Sequence, residues 1–315
     1  MVLGILLHAA LWTGEGLVPA DGILSVPPWA EAFYRHPSNH LLFDQFAVFV
    51  PIRQFFTDEL WKGRFPLWNP HLAAGLPSLA AMQVAPLYPI HLLVAPIGPF
   101  YGSGIAAFLK LFLAGSFTSM YLRRLGVSSA AALASGIGYA MSGFLIVWLG
   151  HPHVNCAVLL PLLLYCLERQ FDAPLRLGPP IGFACAYAAM LLGGHPPTAF
   201  HISAVVVLYF LFRLAERGRP FRVRHMLALL VAMGAGAAIA APQLLPYAEY
   251  YRESSSAAAS SGLYRWGNTL APVTLAHFVV PYLSGGPNVG FERLAVDLGL
   301  GKICLLYTSP SPRDS

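Results

Sequence analysis

The sequence predicts an all-α protein, a polytopic transmembrane helix bundle of about seven spans with a large first extracytoplasmic loop. Three observations carry that expectation. Hydrophobic residues make up 57% of the 315 positions, charged residues only 10%, and mean hydropathy is +0.60. A chain so poor in charge cannot clothe a soluble globule in polar surface, so lipid must be the solvent for most of it. Apolar runs long enough to cross about 30 Å of hydrocarbon recur along its length. Finally, the arginines fall in short clusters at alternate connections, the pattern of cytoplasmic membrane loops.

Each element follows in order. Residues 1–18 are apolar but carry Glu15, and read as a first helix whose start is missing. Further spans are expected at about 104–122, 128–148, 154–168, 178–194, 197–213 and 226–246. Arg123 and Arg124 follow the second span, Arg169 and Arg176 the fourth, and Arg213, Arg217, Arg219, Arg222 and Arg224 the sixth. With those loops inside, residues 19–103 form one external region. Its apolar piece "PLYPIHLLVAPIGP" (86–99) is punctuated by Pro86, Pro89, Pro96 and Pro99 and is too short to span, so it reads as interfacial or re-entrant. Residues 104–246 are then a six-span bundle, and 247–302 an external loop with the start of a further membrane region. The tail "CLLYTSPSPRDS" breaks every preceding pattern and resembles sequencing-adapter read-through, which sets 303–315 apart from the fold.

Composition also excludes function classes. A net charge of +5 and a pI near 9.1 would suit nucleic acid, but the basic residues sit between apolar runs and not along one face, so no nucleic-acid partner is expected. Cys156, Cys166 and Cys185 lie inside apolar runs, where they read as small packing residues.

The arginine parity gathers the polar motifs on the outer face: "FPLWNPHLAAGLP" (65–77), "GHPHVN" (150–155), "GGHPPTAFH" (193–201) and "APQLLPYAEYYRESS" (241–255). A weak repeat joins "GHPHVNCAVLLPLLLYCLER" (150–169) to "GHPPTAFHISAVVVLYFLFRLAER" (194–217), each a His-Pro turn opening a helix that ends in Glu-Arg. His151, His153 and His195 then stand at helix N-termini, where an anion is favoured, or simply cap the helices at headgroup level. Asp44 opens an amphipathic stretch, 44–61, as a base, a metal ligand or a cap; Arg53 lies nine residues on, placed for phosphate or for solvent. Lys110, about two turns into the second span, must snorkel outward or meet an anion. Trp68 and Phe65 suit headgroup anchoring, with sugar stacking on Trp68 as the alternative, and Asn69 suits a turn before Pro70.

The run "DQFAVFVPIRQFFTDELWKGRFPLWNPHLAAGLPSLAAMQVAPLYP" (44–89), with "LKLFLAGSFTSMYLRRLG", "SGFLIVWLGHPHVN", "GGHPPTAFH" and "APQLLPYAEYYRES", resembles the YfhO-like family of bacterial polytopic membrane proteins. The resemblance covers almost all of residues 19–300. It implies a GT-C-like fold and a glycosyltransferase of the bacterial inner membrane. Such an enzyme takes a sugar from a polyprenyl-phosphate donor and delivers it to a cell-envelope polymer or glycolipid acceptor on the extracytoplasmic side. It also implies a catalytic carboxylate in the first external loop, with Asp44 the closest match and Asp21 the other candidate. Arg53, Lys110, His151, His153 and His195 would serve the phosphate, Trp68, Asn69, Gln83 and Tyr88 would form the pocket wall, and a divalent cation (Mg or Mn) would bind at Asp44 if one is used. The competing expectation is a non-catalytic transporter, flippase or scaffold for lipid-linked envelope intermediates, which should carry ionisable groups and broken helices at the bilayer midplane.

Overall fold

The computed structural model describes residues 16–33, 42–72, 74–80, 82–172, 177–216 and 222–253. The expected first helix lies largely outside these residues, as do Arg176, Arg217, Arg219 and the segment after 253. In chain order the α-helices are α1 (Trp29–Phe33), α2 (Val50–Trp61), α3 (Pro89–Val94), α4 (Gly102–Arg124), α5 (Ser129–Ala140), α6 (Gly143–Val147), α7 (Pro152–Ala157), α8 (Leu160–Asp172), α9 (Gly178–Leu191), α10 (Pro196–Glu216) and α11 (Arg222–Glu253). A two-stranded antiparallel ribbon, β1 (Trp68–Asn69) with β2 (Leu76–Pro77), is the one sheet among the described residues. The chain falls into two compact units, residues 1–18 with 49–250, and residues 19–48 with 251–315.

The larger unit is the helical bundle. Among the described residues four helices are long and apolar enough to cross a membrane: α4, the Pro152–Asp172 pair α7–α8, α10, and Val223–Glu253 of α11; α9 is apolar but only 14 residues long. The expected span at 128–148 is instead two pieces. Met141 and Ser142 separate α5 from α6, and Ser142 takes an extended conformation at the start of α6. Ser and Gly supply the physical reason: Ser142 prefers a helix-start position, and Gly138 and Gly143 weaken the helix on both sides. Residues 158–159 similarly separate α7 from α8, where Pro161, in the first turn of α8, has no N–H to return to Ala157.

Small residues bring α4 and α5 together. A Cβ on Gly136 would lie 2.5 Å from the Gly115 carbonyl oxygen and 2.3 Å from Ser119 Oγ, so the two backbones touch where side chains are absent. Ser119 Oγ donates across this contact to the Ala132 carbonyl at 3.0 Å. The remaining core fills with Leu163, Leu167, Phe183, Met190, Val206 and Phe210, all nearly inaccessible.

Polar contacts sort the bundle into two ends. At one, Arg124 pairs with Asp172, Arg213 grips Glu168 through Nε (2.7 Å) and a second guanidinium nitrogen (2.8 Å), Tyr209 donates to the same carboxylate at 2.7 Å, and Gln170 Nε2 donates to the His225 carbonyl at 3.3 Å. The C-terminal ends of α4, α8 and α10 therefore meet the start of α11, which gathers Arg123, Arg124, Arg169, Arg213 and Arg224 at one end. The glutamate of the first repeat's Glu-Arg ending acquires a role here: Glu168 closes one hairpin onto Arg213 of the next, one turn before that hairpin's own Glu216. At the other end lie the two His-Pro turns and residues 82–94.

Glu168 is only 2% exposed, so its charge depends on Arg213 and Tyr209. Glu168→Leu should cost about 3–5 kcal/mol by leaving Arg213 uncompensated, whereas Glu168→Leu with Arg213→Met should recover most of that loss. Reversible unfolding in mixed micelles measures both.

Candidate functional site

The second end is built around the loop that precedes α4. Residues 82–97 fold as a 3-10 turn (Met82–Val84), α3 and a second 3-10 turn (Ala95–Ile97), with Val84, Ala85, Tyr88 and His91 buried. This segment is held from two sides. Gln243 of α11, fully buried, donates from Nε2 to the Met82 carbonyl at 3.5 Å. Gly194, at φ +90°, comes so close that a Cβ there would sit 2.4 Å from the Met82 oxygen. Only glycine takes that backbone shape at that distance without strain.

Arg53 approaches from α2 and donates from Nε to the Val84 carbonyl at 3.0 Å, its guanidinium 5.8 Å from the Phe49 ring centre. Burial lowers its pKa to about 10, so it stays a cation at neutral pH while bearing a desolvation cost. His91 is 7% exposed; its Nδ1 lies 2.8 Å from the Ala85 carbonyl, while Nε2 is buried with no hydrogen-bond partner among the described residues. Desolvation first, then the charges of Arg53 and Lys110, holds its pKa well below the usual histidine range. Lys110 of α4 is 3% exposed and donates from Nζ to the Leu149 carbonyl at 3.3 Å. It does not snorkel to solvent. Among the described residues neither Arg53 nor Lys110 has an ion-pair partner.

A pocket opens between α2, α3 and the start of α4. Arg53 and Thr57 line it from α2, His91 from α3, Ser103 and Ala106 from α4, with Phe56, Leu60, Pro86, Leu92 and Val94 as apolar walls. His91 was not singled out by sequence reasoning. The available signal was a titratable residue in an apolar segment too short to span, which ordinarily means packing.

The His-Pro turns form a neighbouring aromatic group. Trp148 stacks on His153 at 4.3 Å, His153 tilts against His195 at 3.7 Å, and His151 meets Trp148 edge-on at 4.9 Å and Phe49 at 5.7 Å. His153 of the first His-Pro turn thus faces His195 of the second, and not simply outward. His195 Nδ1 accepts the Thr198 N–H at 3.2 Å, a helix-start cap that leaves its proton on Nε2. Burial lowers its pKa, with His201 adding to the effect. Asn155 ties the turns together, donating from Nδ2 to the Gly193 carbonyl at 2.9 Å, and Cys156 packs beneath with its thiol on the Met190 carbonyl at 3.3 Å.

The "FPLWNPHLAAGLP" motif is the β1–β2 ribbon. Asn69 is buried and its Oδ1 accepts the His71 N–H at 2.9 Å, closing the turn before β2. Trp68 is 55% exposed and lies against Gly75, where a Cβ would fall 2.4 Å from the indole. Gln83 is exposed and Tyr88 fully buried, its ring 5.1 Å from that of His91. In the smaller unit, Asp21 lies in a 3-10 turn (Ala20–Ser25), and Asp44 is exposed just before a π-helical turn (Gln45–Phe49). Pro51, which cannot return a hydrogen bond to Ala47, accounts for that widened turn ahead of α2. Among the described residues no group of three His, Cys, Asp or Glu side chains could hold a metal ion, so they do not assemble the ligand set that a divalent cation at Asp44 would draw on.

No protein-family model, curated protein or solved structure matches the chain.

Gly194→Ala should displace residues 82–85 and weaken the Arg53 contact with Val84, whereas Gly178→Ala, which faces open space, should be nearly neutral. Hydrogen exchange over residues 82–94 checks this: the expected result is a rise of at least tenfold in the first variant and none in the second.

Proposed function

We propose that the protein is an extracytoplasmic-face membrane glycosyltransferase that moves a sugar from a polyprenyl-phosphate donor to a cell-envelope acceptor. One observation carries the reading: at the end of the bundle away from the arginine-rich loops Lys110 is buried and Arg53 half-buried, both charges act on His91, and among the described residues neither cation has an ion-pair partner. Cations kept there without counterions suit a ligand that brings its own negative charge. A lipid phosphate does so, and the apolar pocket walls suit the first carbons of its chain.

The resemblance to YfhO-like proteins supplies the remaining parts. The acceptor hydroxyl loses its proton to a carboxylate, Asp44 or Asp21, while its oxygen attacks the anomeric carbon. The bond from that carbon to the phosphate oxygen breaks, and the lipid phosphate leaves with the electron pair. Arg53 and Lys110 stabilise that growing charge, which is where electrostatic help contributes most to rate. Asp44 is favoured over Asp21 because it matches the Asp-Gln pair of that family and is exposed.

Membranes carrying the protein and a panel of radiolabelled polyprenyl-phosphate sugars provide the test. Label should pass to an envelope polymer or glycolipid; movement of intact lipid-linked sugar across the bilayer without transfer would instead identify a transporter. Asp44→Asn should reduce transfer by roughly 10² or more with insertion unchanged, and Asp21→Asn much less. Near-normal transfer by Asp44→Asn with an inactive Asp21→Asn would move the base to Asp21.

A further inference from the structure

The pocket beside Arg53 makes a more specific demand on its ligand than negative charge. The Ala85 carbonyl can only accept a hydrogen bond, so His91 Nδ1, 2.8 Å away, must carry the proton. Neutral His91 therefore has a bare lone pair at Nε2, which is buried and has no hydrogen-bond partner among the described residues. The ring lines the same pocket as Arg53, with the Thr57 and Ser103 side chains on the adjoining walls. Ser103 Oγ is committed as a donor to the Phe100 carbonyl at 2.6 Å. A ligand that satisfies the pocket must accept from the guanidinium of Arg53 and supply a proton toward Nε2.

We propose that this pocket selects the phosphate monoester head of an amphiphile over a phosphodiester, with one proton shared between the phosphate and His91 Nε2. The inference deepens the glycosyl-transfer reading and rests on it for the phosphate. A monoester meets both demands: one oxygen pair accepts from Arg53, and the remaining oxygen either carries a proton to Nε2 or receives one from it. The two descriptions have the same atoms, and only the position of the proton differs. A diester at neutral pH has no proton to give. It could satisfy Nε2 only if His91 were protonated from solvent beside two cations.

The groups that act on His91 are Arg53 from α2, Lys110 from α4 and, on its own segment, Tyr88, whose ring packs edge-on against it. Both charged neighbours are positive and disfavour the imidazolium in the empty pocket. A bound phosphate reverses that balance, because its negative charge faces the ring. The free monoester loses its last proton near pH 6. Above that pH the ligand arrives as a dianion and the complex must take up a proton from water; below it, the ligand brings the proton and uptake vanishes. In the proposed reaction the donor is a diester and the departing lipid phosphate is a monoester, so the pocket would grip the leaving group more strongly than the substrate.

Calorimetric titration of the full chain in mild detergent with hexyl phosphate and with hexyl methyl phosphate tests this without any sugar or acceptor. At pH 8, in buffers of different ionisation enthalpy, the monoester should bind with uptake of about one proton, and its affinity should fall about tenfold per pH unit between pH 7 and pH 8.5. The diester should bind at least tenfold more weakly at pH 7. His91→Gln, whose amide can still donate to phosphate, should retain monoester binding but lose the proton uptake; Arg53→Gln should lose binding of both esters. Equal affinity for the two esters, or monoester binding without proton uptake by the unaltered protein, would overturn the proposal with no variant needed. Sugar transfer alongside either of those results would leave the glycosyltransferase reading standing, and proton-linked monoester binding without transfer would do the reverse.

Discussion

A cation taken out of water must find negative charge or bear a cost of several kcal/mol, and the two ends of this bundle meet that constraint differently. At the arginine-rich end the compensation is internal. Arg213 holds Glu168 with two charge-assisted bonds, Tyr209 completes the carboxylate, and Arg124 takes Asp172. Those pairs join α4, α8 and α10, so the ionic contacts also fix which helix ends lie together. At the opposite end Arg53 rests on the Val84 carbonyl and the Phe49 ring and Lys110 on the Leu149 carbonyl, with no ion-pair partner for either among the described residues. A carbonyl dipole offsets part of a charge and leaves attraction for an anion. That asymmetry is what separates a structural end from a candidate ligand end.

The geometry of the ligand end depends on the chain approaching itself closely. Residues 82–94 are short turns and one short helix, held from outside at two carbonyls: Gln243 and the close approach of Gly194 at Met82, and Arg53 at Val84. Each contact joins residues far apart in sequence. The pocket is lined by α2, α3 and α4, and the segment that carries α3 is braced by Gly194 and by Gln243 of α11, so its polar groups sit on segments fixed by packing, which suits recognition of a head group in a defined pose.

Much of the helical layout was legible because it rests on local rules. Apolar length marked α4, α10 and α11, and arginine spacing grouped the ends of α4, α8 and α10 that contacts then place together. Asn69 was legible as a turn residue because its side chain acts two residues away. The break at Met141–Ser142 was missed since hydropathy averages over a window and does not register a Ser-Gly helix start. Of the two expectations for Lys110, snorkelling fails because a snorkelling path is a property of one helix, whereas the Leu149 carbonyl that Lys110 meets comes from another part of the chain. His91 and the facing of His153 on His195 are likewise tertiary facts, in which nonlocal packing decides what a histidine does.

The central claim is that the uncompensated cations hold a lipid-borne phosphate, and native mass spectrometry of the protein released gently from its own membranes tests it most directly. The account predicts one isoprenoid phosphate retained per chain, and its loss from an Arg53→Gln, Lys110→Met double variant that keeps its other lipids. A double variant that retains the same phosphate lipid, or an unaltered protein that carries none, would contradict it.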